Sequence, residues 1–160
     1  MAEKKQERKV SVRALVEFLL RSGDLDNRGG GWADRDAMQE GSRIHRKIQK
    51  RMGGGYQAEV PLRFRKEYEH FILAVEGRAD GVITGQDGVT IDEIKGVYRN
   101  VEQMEEPVPV HLAQAKCYAY IYGLDHRLRE IGVQMTYCSL ETEEIRRFTE
   151  KYTLDELDLW

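Results

Sequence analysis

Cysteine is scarce in this chain: there are only Cys117 and Cys138 in 160 residues. That count excludes a four-thiolate zinc or iron–sulphur site built by the chain alone. Cys117 falls in a helical pattern and Cys138 in a strand-like one, both among apolar neighbours, so two buried free thiols are expected. Long hydrophobic runs are also missing. No stretch approaches the roughly 18 apolar residues a membrane span needs, and the first nine residues, Met-Ala-Glu-Lys-Lys-Gln-Glu-Arg-Lys, lack the apolar core of a signal peptide. The expectation is cytoplasmic residence without a membrane partner. An excess of one charge is absent too, with 25 Lys and Arg against 28 Asp and Glu for a net charge of −3. The whole molecule therefore offers no bulk field to a polyanion, and nucleic-acid affinity would have to come from local patches. Two runs qualify: Arg43, Arg46, Lys47, Lys50 and Arg51, and Arg63, Arg65 and Lys66. Each also reads as an ordinary solvated face.

The length suits one domain with a real core, and 41% hydrophobic with 33% charged residues describes a globular protein with a heavily solvated surface. Residues 1–9 are charged and expected to be disordered, leaving 10–160 as a single domain. Ser11 can cap a first helix from Val12 to about Arg21, with Leu15, Val16, Leu19 and Leu20 as its apolar stripe. A loop follows over 24–32, carrying the triple glycine Gly29-Gly30-Gly31 as a mobile segment. A second helix is expected from about Ala33 to Met52, with Ala37, Met38, Ile44, Ile48 and Met52 at helical spacing and Gly41 where a neighbour approaches closely. Three strands are expected over Gln57–Lys66, Tyr68–Ile83 and Val89–Tyr98, the middle one bending near Gly77. A third helix runs from about Val110 to Gly123, with Ala113, Cys117, Tyr120 and Ile121 on its core face, and Glu130–Leu140 alternates as a strand. Residues 143–151 fit strand or helix. Thr153-x-x-Glu156 is a capping box that starts a terminal helix. The order is α-α-β-β-β-α-β-β-α.

The chemistry gathers in Glu76-Gly-Arg-Ala-Asp80-Gly-Val-Ile-Thr-Gly-Gln-Asp-Gly-Val-Thr-Ile-Asp92-Glu93-Ile-Lys95. Apolar-rich runs flank Gly85-Gln86-Asp87-Gly88, which marks a hairpin. With those residues as the loop, Thr84 pairs with Val89, Val82 with Ile91 and Asp80 with Glu93. The period of two then puts Asp80, Glu93 and Lys95 on one face and Asp92 on the other. Opposed carboxylates repel unless a cation lies between them, so the hairpin reads as a magnesium or manganese site with a lysine beside it. Lys95 would position or deprotonate a water there, or stabilise a pentavalent phosphate. His45, next to the apolar stripe of the second helix, fits a third ligand as well as a packed histidine. Glu40 fits a supporting role. Gln114 and Tyr118, at i and i+4 on the third helix, fit either a surface hydrogen bond or a pair that holds a lysine or a DNA backbone.

Four segments, Gly41-Ser-Arg-Ile-His45, Gly77-Arg-Ala-Asp80-Gly, Ile91-Asp-Glu93-Ile-Lys95-Gly and Gln114-Ala-Lys-Cys-Tyr118, span residues 41–118. In order and spacing they resemble the PD-(D/E)xK nuclease superfamily, and within it the RecB-like exonuclease branch. The run of motifs also resembles the N-terminal nuclease domain fused to DinG/XPD-type helicases of Firmicutes.

The resemblance implies an α/β (α+β) restriction-endonuclease-like core, a central mixed β-sheet flanked by helices. It implies metal ligation by His45, Asp80, Glu93 and the Ile94 carbonyl, with one or two Mg²⁺ or Mn²⁺ ions. It makes Asp80, Glu93, Lys95, Gln114 and Tyr118 the catalytic set, with Gln114 and Tyr118 towards DNA; Arg43 and Arg46 of the first basic run are the further DNA-binding candidates. The family's acid before x-Lys is Asp or Glu, and hairpin parity favours Glu93 over Asp92. The two cysteines imply a member without the iron–sulphur cluster that some relatives carry. The implied activity is metal-dependent hydrolysis of DNA, exonucleolytic rather than site-specific, in DNA repair or recombination. No Gly-Lys-Ser/Thr phosphate loop occurs, so a partner helicase domain is expected elsewhere in a longer full-length chain. The alternatives are a DNA-binding module of a helicase that keeps the fold without catalysis, and a protein-interaction domain.

Overall fold

A computed structural model describes residues 4–20 and 32–160, with the backbone alone for 32–40. The elements are β1 (Gln6–Ser11), α1 (Val12–Leu19), α2 (Trp32–Arg51), β2 (Tyr56–Glu67), β3 (Phe71–Gly85), β4 (Gly88–Val97), a 3₁₀ turn (Val101–Gln103), α3 (Pro109–Asp125), β5 (Glu130–Ser139), β6 (Ile145–Thr153) and α4 (Leu154–Leu159). Expected helix boundaries agree where local chemistry sets them. The Ser11 hydroxyl accepts the Ala14 N–H at 3.0 Å, and the Thr153 hydroxyl accepts the Glu156 N–H at 3.1 Å. The triple glycine at 29–31 lies outside the described residues, as do the side chains of Ala37, Met38 and Glu40.

The six strands form one mixed sheet in the order β1-β3-β4-β5-β6, with β2 also on β3. β1 is parallel to β3 and β4 to β5; the remaining pairs are antiparallel. Residues 143–151, open between helix and strand in the sequence, supply most of β6 on the β5 edge. The middle hairpin has the expected register, Thr84 opposite Val89 and Val82 opposite Ile91. Its loop is tighter than expected: Gly85 pairs with Gly88, whose φ is +113°, leaving Gln86-Asp87 as the turn.

Three expectations are corrected. The charged N-terminal segment is not disordered from residue 6, because β1 pairs with Phe71–Glu76 of β3. Its charges find partners across the sheet: Lys5 Nζ lies 2.9 Å from Glu67, and Glu7 takes Arg63 and Arg65. The same pairs, with Arg63 also on Glu76, commit that second basic run to the fold. At Gly41 an added Cβ would meet nothing within 4 Å among the described residues, so no close neighbour among them requires this glycine. The α1 stripe is also shifted, with Val12 and Val16 buried while Leu19 and Leu20 are exposed.

Two apolar clusters hold the sheet. The larger joins α1, α3 and α4 to one face through Val12, Val16, Ala115, Ala119, Leu157, Ile91, Val133 and Met135. The smaller joins α2 to the other face through Ile44, Ile48, Ile94 and Cys138. Alternation in β4 thus sends Ile91 and Ile94 to opposite faces. Both cysteines are free thiols, Cys138 buried and Cys117 half-buried.

Candidate active site

The site forms where β3 changes partners. A strand has two edges, and β2 runs along one of them from Ile72 to Ile83. The other edge is shared: β1 pairs with residues 71–76 and β4 with 81–85. Residues 77–80 fall in the gap. Asp80 also loses β2, because Glu59 opposite it has φ +54° and Ala58–Gly81 and Val60–Ala79 are the pairs on either side. A left-handed non-glycine residue is costly backbone that tends to occur at functional sites. Side chains replace the missing ladder. Gln49 Nε2 donates to the Asp80 carbonyl at 2.8 Å and to Glu59 Oε1 at 3.0 Å, while the Ile94 N–H donates to Asp80 Oδ2 at 2.7 Å.

The expected residues converge on this gap. Asp80 and Glu93 are buried at 8% and 3% exposure. They are not a ladder pair, since pairing stops at Gly81–Asp92. Burial first, and then the Asp80 charge, push Glu93 well above the usual carboxylate range, with Lys95 opposing. Glu93 Oε1 lies 3.4 Å from Lys95 Nζ, whereas Oε2 is buried without a hydrogen-bond partner. Lys95 Nζ donates to Gln114 Oε1 at 3.1 Å, and Gln114 Nε2 donates to the Tyr118 hydroxyl at 3.2 Å. The Tyr118 ring passes against Gly77, where a Cβ would come within 2.6 Å of Cε1. Burial pushes that phenol up to about 12, so it stays protonated. From α2, His45 Nδ1 approaches Asp80 Oδ1 at 3.3 Å, which leaves Nε2 available to a further partner.

Arg43 and Arg46 do not join this cluster. Arg43 meets Glu143 Oε1 at 3.0 Å beside Lys47, which meets Oε2 of the same residue at 2.6 Å; Arg46 is exposed.

Among the described residues, no three His, Cys, Asp or Glu side chains are already gathered as a metal-holding group. The donor chemistry nevertheless fits a hard divalent cation. Asp80 and Glu93 offer carboxylate oxygens, one of them orphaned and buried, and magnesium commonly takes one or two carboxylates and leaves its other positions to water and phosphate.

Other polar residues around the site escaped the sequence reading. Gln49 is i+4 from His45, a spacing that could have flagged it. His111 precedes Gln114 by one turn, and its Nδ1 lies 3.0 Å from the Tyr137 hydroxyl. Asp92, on the opposite face, accepts from Tyr56 Oη at 2.8 Å, Thr136 Oγ1 at 2.6 Å and Gln134 Nε2 at 3.2 Å. Tyr56 reaches it only because residue 81 is glycine; a Cβ there would stand 1.9 Å from the phenol oxygen.

No protein-family model matches the chain, and no curated protein matches it in sequence. Solved structures do match in fold. The crystal structure of SSO0001 superposes with a TM-score of 0.64 at 17% identity, covering 99% of this chain and 74% of that one. The alkaline exonuclease LHK-Exo from Laribacter hongkongensis superposes with a TM-score of 0.53 at 14% identity, over 94% of this chain and 82% of its own. A mixed sheet flanked by helices, shared with these structures, is thus a restriction-endonuclease-like fold.

Proposed function

We propose that the protein is a metal-dependent deoxyribonuclease of the RecB-like branch, an exonuclease rather than a site-specific endonuclease. The observation that carries this reading is Glu93. It is a buried carboxylate with one oxygen on Lys95 and the other unpartnered, facing the charge of Asp80 at the gap in β3. Asp80 and Glu93 can face each other there only with a proton or a cation between them, and a divalent ion would relieve the pair.

Asp80, Glu93 and His45 would hold Mg²⁺ or Mn²⁺, with the Ile94 carbonyl as a fourth donor. When bound, such an ion supplies Lewis-acid polarisation of a phosphoryl oxygen and an acidified water. The chain's own residues do the rest. An ammonium has three donors, and Glu93 and Gln114 occupy two of those on Lys95. The third would serve the attacking water or a phosphoryl oxygen, where charge develops in the transition state. Gln114 and Tyr118 form a rigid strut that keeps the lysine in place. Arg46, exposed on the helix that carries His45, would contact the DNA backbone, with Arg43 beside it. The alkaline exonuclease whose fold this chain shares supports a nucleolytic role. We place the activity in DNA repair or recombination, beside a helicase domain of a longer chain.

The test is cleavage of single- and double-stranded DNA in Mn²⁺ by wild type, Lys95→Ala and Glu93→Gln. Wild type is expected to cut, and each variant to lose about 10²-fold or more. Metal-dependent cleavage that survives both substitutions would sink the assignment. DNA binding that needs no divalent ion, with no turnover, would instead identify a non-catalytic module.

A further inference from the structure

His111 lies on the face of α3 that holds Lys95, one helical turn before Gln114, and the hydrolytic reading above leaves it unused. Its surroundings determine which ring nitrogen carries the proton. The Tyr137 side chain is fully buried, and its oxygen accepts the Val108 N–H at 2.9 Å. The other partner of that hydroxyl is His111 Nδ1, at 3.0 Å. If Nδ1 carried a hydrogen, the Tyr137 hydroxyl proton would be buried with no acceptor, which a fold avoids. The phenol therefore donates and Nδ1 accepts. Burial pushes Tyr137 up to about 12, so it keeps its proton. Burial, with Lys95 and Arg13 nearby, pushes His111 down to about 4, so the ring is neutral at physiological pH. A neutral ring whose Nδ1 accepts carries its hydrogen on Nε2.

Two elements thus bring donors together beside the site: Lys95 from β4, held by Gln114, and His111 from α3, one turn before Gln114. His111 is only half-buried, so the group can be reached from solvent. A phosphodiester offers what such a group lacks, a negative charge with several acceptor oxygens. We propose that His111 is a substrate-contacting residue, fixed as the Nε2–H tautomer by Tyr137, that donates to a backbone phosphate of bound nucleic acid beside Lys95. This rests on the nuclease reading, and it adds a neutral donor beside the charge of Lys95.

Long-range ¹H–¹⁵N spectra of the histidine rings test the tautomer without DNA, with His111→Gln assigning the resonance. The expected pattern at pH 7 is a neutral Nε2–H ring that changes in Tyr137→Phe. In parallel, kcat/KM for a short single-stranded oligonucleotide in Mn²⁺ is measured for His111→Gln, His111→Asn and His111→Leu. The Gln amide nitrogen can stand near the place of Nε2, whereas that of Asn stands near Nδ1. Gln should retain activity within about threefold, while Asn and Leu lose about five- to tenfold, the worth of one hydrogen bond to a charged group. Melting curves identify any variant that fails to fold, and the Gln–Asn contrast then decides.

An Nδ1–H ring, a charged ring at pH 7, or wild-type kcat/KM in folded His111→Leu would overturn the proposal. A wild type that neither binds nor cuts DNA overturns the nuclease reading and this contact with it. That failure is distinguishable from the others because the tautomer is read in the free protein.

Discussion

Asp92 and Glu93 are adjacent, both are buried, and burial pushes both above the usual carboxylate range. Alternation sends them to opposite faces of the sheet, and there they differ in one respect. Asp92 receives hydrogen bonds from Thr136, Tyr56 and Gln134, which oppose the effect of burial. Glu93 has Lys95 at one oxygen and no donor at the other, and the facing Asp80 carboxylate, which it can meet only by holding a proton, adds to the cost. A buried acid with its acceptors filled ties strands together; a buried acid with an open acceptor is prepared for something that arrives later. Two neighbouring carboxylates thus separate scaffold from site without any difference in burial.

The sharpest way to break this comparison is to remove each acid in turn. Glu93→Gln should reduce cleavage by about 10²-fold or more while the metal-free fold is at least as stable as wild type, because a buried charge beside Asp80 has gone. Asp92→Ala should do the reverse. Three donors lose their acceptor, Thr136 fully buried and Tyr56 and Gln134 half-buried, which is expected to cost about 3 kcal/mol in urea unfolding. An Asp92→Ala protein of unchanged stability would show that the network carries no weight.

The two glycines under the neighbouring phenols sharpen the contrast next. Gly81→Ala would push a Cβ into the Tyr56 hydroxyl, and Gly77→Ala would push one into the Tyr118 ring. Each should cost about 1–3 kcal/mol of stability by overpacking. Gly77→Ala should additionally reduce cleavage per folded molecule, since Tyr118 supports Gln114 and through it Lys95. Equal activity in the two variants would count against that strut.

A smaller effect concerns pH. The folded pKa of His111, about 4, lies below its ordinary value of 6.5, so the fold disfavours its charged form. The stability tied to neutral His111 is present above pH 6.5 and is lost as pH falls towards 4, at no more than about 1.4 kcal/mol per pH unit. Carboxylates titrate in the same window, so the measurement is the difference between the stability curves of wild type and His111→Gln: wild type should lose stability relative to the variant as pH falls from 6.5 towards 4. The smallest expected effect is that of Arg46→Ala: a few-fold weaker DNA binding, with the salt slope reduced by about one.

How much of this was legible follows from the range over which each feature is encoded. Ser11 and Thr153 announce their helices because a cap acts on an amide three residues away. Asp80, Glu93 and Lys95 were legible as a set because a tight turn between alternating strands leaves one register, and a slip of one residue would put Asp92 in place of Glu93. Gln114 and Tyr118 were legible by helical spacing. The N-terminal strand was not, because nothing in its charged residues names Phe71–Glu76 as a partner. The Tyr56–Asp92 contact was not legible for the same reason: 36 residues separate the two, and the contact needs the β2–β3 register together with a glycine at 81.

The sequence by itself therefore determined the parity of the hairpin, the acid that shares a face with Asp80, and the pairing of Gln114 with Tyr118 on one helix, while the contact of that pair with Lys95 came from the structure. Each depends on a period of two or of 3.6 acting over a few residues. Only the tertiary structure decided that β1 and β4 share one edge of β3 and leave a gap at residues 77–80, and that Glu59 lets go of Asp80 on the other edge. It also decided that Tyr137 holds His111. Those arrangements depend on which distant segments compete for the same backbone hydrogen bonds, a contest that local periodicity does not record.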